Sequence, residues 1–297
     1  ISHFEGNANA FRLLTHQFSG RRHGGFVMTY ATLAAIVKYP FASTLAGNHG
    51  KFGFFCSEAS TFKKIADELG LIRLSAPGEP LHYVRHPLVY LMEAADDICY
   101  EIMDIEDSHK LKILSFDETT ELLLGFFDKN TQTDILNRLK REGVTDENEK
   151  IVYMRACVVG KLENECVQAF VDHEDEILHG TLKGTLIDNI SEPQRLAYKR
   201  CSEISYKRIY RSKPVLDIEL SGYKIMETLM QSLISAVVQP ERFHSKQIIE
   251  RVSSQYDIRS NDLETRIMAV LDYISGMTDV YALDVYQKLS GISLPIV

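Results

Sequence analysis

A chain of 297 residues, 45% hydrophobic and 25% charged, has room for one large domain or two modest ones and the make-up of an ordinary globular protein. Its formal charge of −8 argues against a protein that coats nucleic acid, and no apolar run approaches the roughly 18 residues of a membrane span. Five cysteines, an odd number without Cys-x-x-Cys spacing, point to reduced thiols in a cytoplasmic protein rather than a disulfide framework or a zinc site.

Taken in order, residues 5–17 read as a helix with Ala8, Phe11 and Leu14 on one face. Asn7, at its start, has two readings: a local helix-start bond or a donor to a ligand. Gly20, Arg21, Arg22, His23, Gly24 and Gly25 make a basic, glycine-rich turn without the order of a P-loop. Residues 29–38 form a short helix that stops before Pro40. Residues 57–69 follow as a helix, with Ser57 as its cap.

Residues 85–107 predict the longest element of the first half. Pro87 suits a first helical position. Leu88, Leu91, Ala95, Ile98, Ile102 and Ile105 recur at helical spacing as one apolar stripe. Asp96, Tyr100 and Asp104 share the opposite face with Glu93 and Asp107. That face is either a solvated acidic surface or a site, with one carboxylate for a metal, an aromatic for a ring or sugar, and a second carboxylate for a hydroxyl. Neither Asp96 nor Asp104 has a Lys or Arg three or four residues away, and Asp is a poor helix former, so the face gains little as plain surface. Cys99 is expected to serve packing.

Helices are further predicted at 116–124, 131–141 and 151–170, the last after a polar linker at 143–149. Residues 192–210 form a long basic helix in which Tyr198, Tyr206 and Tyr210 are interleaved with Arg and Lys. Such a face either binds phosphate or is solvated, with its tyrosines packed on neighbours. Residues 215–238 hold Glu219, and three more helices follow, the last capped by Thr278. The only strand signal is a short pair near Gly53 and Arg73. The expected class is all-α.

Several segments resemble one family. Glu-Ala-Ala-Asp-Asp-Ile-Cys-Tyr at 93–100, then Asp-Ile-Glu-Asp at 104–107, is similar to the deoxyguanosine triphosphate triphosphohydrolases of the HD-domain superfamily. Phe4-Glu5-Gly6-Asn7-Ala8-Asn9-Ala10-Phe11-Arg12, residues 29–35 with Lys38-Tyr39-Pro40, and Ser275-Gly276-Met277-Thr278-Asp279 resemble further family segments, in family order.

The resemblance implies an HD-type helical bundle over residues 1–145 and a helical C-terminal region over 146–297 that completes the nucleotide pocket and the oligomer contacts. It implies hydrolysis of dGTP or other deoxynucleoside triphosphates to deoxynucleoside and triphosphate, with Mg²⁺ or Mn²⁺. In that scheme Asp96 is a metal ligand, and Asn7 borders the catalytic pocket. Lys38 and Tyr39 reach the triphosphate, Tyr100 lines the sugar or phosphates, and Asp104 accepts from the sugar 3′-hydroxyl. Tyr210 contacts sugar or base, and Glu219 faces the nucleotide. A homo-oligomer is implied, as is single-stranded DNA as an effector. The family's His and His-Asp metal ligands lie upstream of the Phe-Glu-Gly-Asn segment, and none of the ten histidines here is followed by Asp. The expectation is a fragment of the full enzyme, inactive alone. The alternatives are a nucleotide-binding regulatory module without turnover, or another HD-type phosphohydrolase.

Overall fold

Side-chain oxygens placed just ahead of apolar periodic runs mark where about half of the helices begin. In the computed structural model, which describes residues 3–21 and 26–293, Thr29, Asp128, Asp146, Asp262 and Thr278 each accept a backbone N–H of the helix that follows. Ser115 and Glu118 form a reciprocal capping box, at 3.2 Å and 2.9 Å. Each such cap is worth about 1 kcal/mol. Arg22, His23, Gly24 and Gly25 of the basic turn lie outside the described residues.

Thirteen α-helices are present among the described residues: α1 (Gly6–Thr15), α2 (Tyr30–Ala35), α3 (Ala59–Leu69), α4 (Pro87–Lys110), α5 (Phe116–Leu124), α6 (Lys129–Arg141), α7 (Glu147–Asp172), α8 (Glu174–Leu178), α9 (Glu192–Ile204), α10 (Lys213–Val238), α11 (Phe243–Glu250), α12 (Leu263–Ser275) and α13 (Asp279–Leu289). The described residues form no sheet. Isolated bridges pair Phe41 with His82, Ala42 with Phe54 and Arg73 with Tyr83; the segments near Gly53 and Arg73 each make one bridge, but to other partners. The fold is all-α, as expected. One expected cap is corrected. Ser57 lies inside a 3₁₀ turn, Cys56–Glu58, so the cap position of α3 falls on Glu58.

By packing, the chain divides into two units, residues 1–8 with 29–215 and residues 9–28 with 216–297. This partition differs from a boundary at 145, because α7 packs along α4 within the first unit. The first unit's core joins Tyr90, Ala94, Ile98, Ile102 and Ile105 of α4 to Ile151, Met154, Val158 and Leu162 of α7. The apolar stripe predicted on α4 is therefore half right. Ile98, Ile102 and Ile105 are buried, whereas Leu88 and Ala95 are exposed and Tyr90 and Ala94 take their place. Cys99, expected in packing, is exposed. The second unit's core gathers Leu229, Leu233 and Val237 of α10 with Ile248, Val270, Ile274 and Val285. No helix among the described residues is long and apolar enough to cross a membrane.

Candidate active site

His86 opens α4: its Nδ1 accepts the Leu88 N–H at 3.2 Å, and burial lowers its pKa, which keeps the ring a neutral acceptor. Two turns on stands Glu93, 2% exposed. Lys38 Nζ lies 3.0 Å from its Oε1 and Arg85 Nη1 2.9 Å from its Oε2, so one buried carboxylate joins two cations from two separate loops. Burial works to lower the Lys38 pKa, but the bond to Glu93 and its charge raise it overall, so Lys38 stays an ammonium. Lys38 is held in place by its own loop. Gly53 N–H donates to the Phe41 carbonyl at 2.9 Å, and a Cβ at Gly53 would run into the Tyr39 carbonyl oxygen.

Asp97, one turn after Glu93, was not singled out as a site residue. It is half-buried, and burial pushes its pKa up; Lys38 opposes that, while Glu93, Asp96 and Asp188 add to it. Asp96 and Tyr100 are exposed, Tyr100 by 65%. Asp104 is half-buried and accepts the Tyr210 hydroxyl at Oδ2, 2.7 Å away. Burial raises the Asp104 pKa against the opposing effect of that bond. Tyr210 is shifted up by burial and by Asp104, so it stays a neutral donor. Tyr198 donates to the Asp97 carbonyl at 3.0 Å. Two of the three interleaved tyrosines of the basic helix thus bond to α4, across about a hundred residues of chain. The helix's arginines are largely neutralised: Arg200 pairs with Glu121 and Arg208 with Glu118. The pairing with Arg208, together with the capping bonds of Ser115, holds the Glu118 carboxyl down at about 2.

The structure therefore gathers Asp96, Tyr100, Asp104, Tyr210 and Lys38 on or around α4. Asn7 sits in the first turn of α1, where the local helix-start bond is made instead by Glu5, whose Oε2 accepts the Ala8 N–H at 2.9 Å. Tyr39 lies under the Lys51 ammonium, 5.7 Å from its ring centre. Glu219 is exposed on α10 and belongs to the second unit. Glu101, buried between Asp97 and Asp104 in sequence, was also missed. Its position three and four residues from those two aspartates on the same helix was the available signal.

The residues present do not by themselves fit a divalent metal. Among the described residues no group of three or more His, Cys, Asp or Glu side chains is placed to hold one, and Asp96 offers a single carboxylate.

An all-α core of HD type, with carboxylates, cations and tyrosines set along one long helix, is the class defined by this fold and site. A family model described as a phosphohydrolase-associated domain matches residues 189–288, from just before α9 to the end of α13. A deoxyguanosinetriphosphate triphosphohydrolase-like protein of Pseudomonas aeruginosa is 33% identical over 307 residues, covering 99% of this chain and 67% of its own length. One from Synechocystis is 34% identical over 302 residues, covering 98% and 66%. The deoxyguanosinetriphosphate triphosphohydrolase of Yersinia enterocolitica is 26% identical over 338 residues, covering 97% and 64%. The chain belongs to the deoxyguanosinetriphosphate triphosphohydrolase-like family, and it spans about two thirds of the length of these relatives.

Proposed function

We propose that this chain binds a deoxynucleoside triphosphate along α4 and takes part in its hydrolysis to deoxynucleoside and triphosphate, with dGTP as the first substrate to test. The observation that carries the reading is the Tyr210–Asp104 bond on the face that also bears Asp96 and Tyr100. A half-buried carboxylate with one oxygen fixed by a tyrosine keeps the other oxygen for a sugar hydroxyl. A site that bonds a hydroxyl rejects analogues without it. Tyr100, exposed beside it, offers a ring to the sugar. Lys38 supplies positive charge for the phosphates, and its sharing of Glu93 fixes where that charge stands. Asn7, Tyr39 and Glu219 enter the reading through family resemblance alone.

Dependence on Mg²⁺ or Mn²⁺, with Asp96 as one ligand, also belongs to the proposal through the family. So do a homo-oligomeric state, single-stranded DNA as effector and a cytoplasmic location. The test is release of inorganic triphosphate from each of the four deoxynucleoside triphosphates, with either cation, by protein expressed from its full reading frame. Triphosphate release from dGTP that Asp96→Ala abolishes is the expected result. A nucleotide-dependent rise in melting temperature without product would replace it with a regulatory binding module. Release of monophosphate only would point to a different phosphohydrolase reaction.

A further inference from the structure

Glu101 lies in the interior of the first unit, and among the described residues it forms no ion pair. Its oxygens are taken by hydroxyls: Ser202 Oγ donates to Oε2 at 2.7 Å, and Ser205 Oγ donates to Oε1 at 2.8 Å. Ser205, 1% exposed, is also where the helical gauge changes. Residues Ser205–Ile209 form a π-helical turn directly after α9, and the Tyr210 N–H closes it on the Ser205 carbonyl at 2.9 Å. In an unbroken α-helix, at about 100° per residue, Tyr210 would stand on the side opposite buried Cys201. The π turn takes in an extra residue and swings Tyr210 back toward α4, where its hydroxyl meets Asp104. Such single π turns are rare and concentrate at functional sites.

The connections close into a ring. Glu101 holds the Ser205 side chain, the Ser205 carbonyl holds the Tyr210 backbone, the Tyr210 hydroxyl holds Asp104, and Asp104 lies three residues from Glu101 on α4. We propose that Glu101 is a positioning residue which, through Ser205, fixes the π turn that aims Tyr210 at Asp104 and so sets recognition of the sugar 3′-hydroxyl. This rests on the reading above that Asp104 receives that hydroxyl.

The test is equilibrium titration with dGTP and with 2′,3′-dideoxy-GTP in chelating buffer, where binding is read without turnover. The wild-type protein should prefer dGTP by about tenfold, the scale of one hydrogen bond to a charged acceptor. Ser205→Ala removes one hydroxyl from a buried site and little volume, so it should fold. It should cut the preference below about threefold while leaving affinity for the dideoxynucleotide nearly unchanged, a selective loss that general destabilisation would not produce. Glu101→Ala should do the same where it folds; where it does not, Ser205→Ala decides alone. Glu101→Gln should keep the preference. Its carbonyl accepts one hydroxyl and its amide donates to Ser202, whose own proton can turn to the Tyr198 carbonyl 3.3 Å away. A Ser205→Ala protein with the full wild-type preference would overturn the positioning role and leave the nucleotide reading standing. A wild-type protein that binds both nucleotides equally, or neither, would overturn both.

Discussion

Arg12 and Asp272 meet through two parallel hydrogen bonds, Nε to Oδ1 and Nη2 to Oδ2, each 2.8 Å long, with both side chains almost wholly buried. The pair joins α1 to α12 within the second unit. In the sequence, Arg12 ends the Phe-Glu-Gly-Asn segment and Asp272 stands three residues before the Ser-Gly-Met-Thr-Asp segment. The fork-to-fork ion pair thus ties the end of one resembling segment to the helix that leads into another. Removing the Arg12 guanidinium leaves the Asp272 carboxylate buried without its fork partner, at a cost of about 3–5 kcal/mol. Arg12→Ala should lower the unfolding free energy measured by urea denaturation by that amount, and Asp272→Ala should lower it as well. Arg12→Met combined with Asp272→Leu should cost less than either single change, because it removes both charges. A double variant as unstable as the sum of the singles would show that the pair does not act as a unit.

Glu101 gives the fold a pH dependence whose sign follows from its surroundings. Burial raises its pKa, and the bonds from Ser202 and Ser205 pull it down without cancelling that effect. A carboxyl with a folded-state value above its unfolded one favours the folded state while both are protonated. That advantage is lost as pH rises from the ordinary glutamate value, about 4.3, through the raised folded value. Glu101→Gln cannot titrate. The stability of the wild-type protein relative to Glu101→Gln should therefore fall across the first units of pH above the ordinary glutamate range and level off beyond. Chemical denaturation of both proteins at a series of pH values measures it. A difference that stays flat, or rises with pH, contradicts the assignment of Glu101 as a carboxyl whose charge is penalised by burial.

The same helix shows what the sequence disclosed and what it withheld. Oxygen-bearing caps and apolar spacing located most of the helices, because both are local signals. The apolar stripe on α4 was misplaced in its first half, where Val89, Tyr90, Glu93 and Ala94 are all buried, so the helix there is covered over more than one face and periodicity cannot single out a core side. Asp96, Tyr100 and Asp104 stood out by spacing, but the spacing could not say that Tyr210 would be Asp104's partner. That contact depends on a π turn, which has no pattern of its own in composition or period. Glu93 was noted only as lying on the acidic side; its bridge joins Arg85, just ahead of the same helix, to Lys38 from a loop well upstream, and spacing along α4 cannot show that.

The Tyr210–Asp104 contact also couples nucleotide binding to pH. Burial pushes the Asp104 pKa above the ordinary aspartate range, and the Tyr210 hydroxyl restrains that rise by bonding the charged form. In Tyr210→Phe the restraint is gone, so the pKa of Asp104 should climb further. If Asp104 accepts the sugar hydroxyl as a carboxylate, affinity for dGTP is present above that pKa and fades as pH falls through it. The acid limb of binding should accordingly move to higher pH in Tyr210→Phe than in the wild-type protein. Binding of the dideoxynucleotide, which lacks the hydroxyl, should show no such displacement between the two proteins. Titrations of both nucleotides from about pH 4 to pH 8 separate these effects. An acid limb that stays where it is in Tyr210→Phe, or moves equally for both nucleotides, would mean that Asp104 is not the group reading the 3′-hydroxyl.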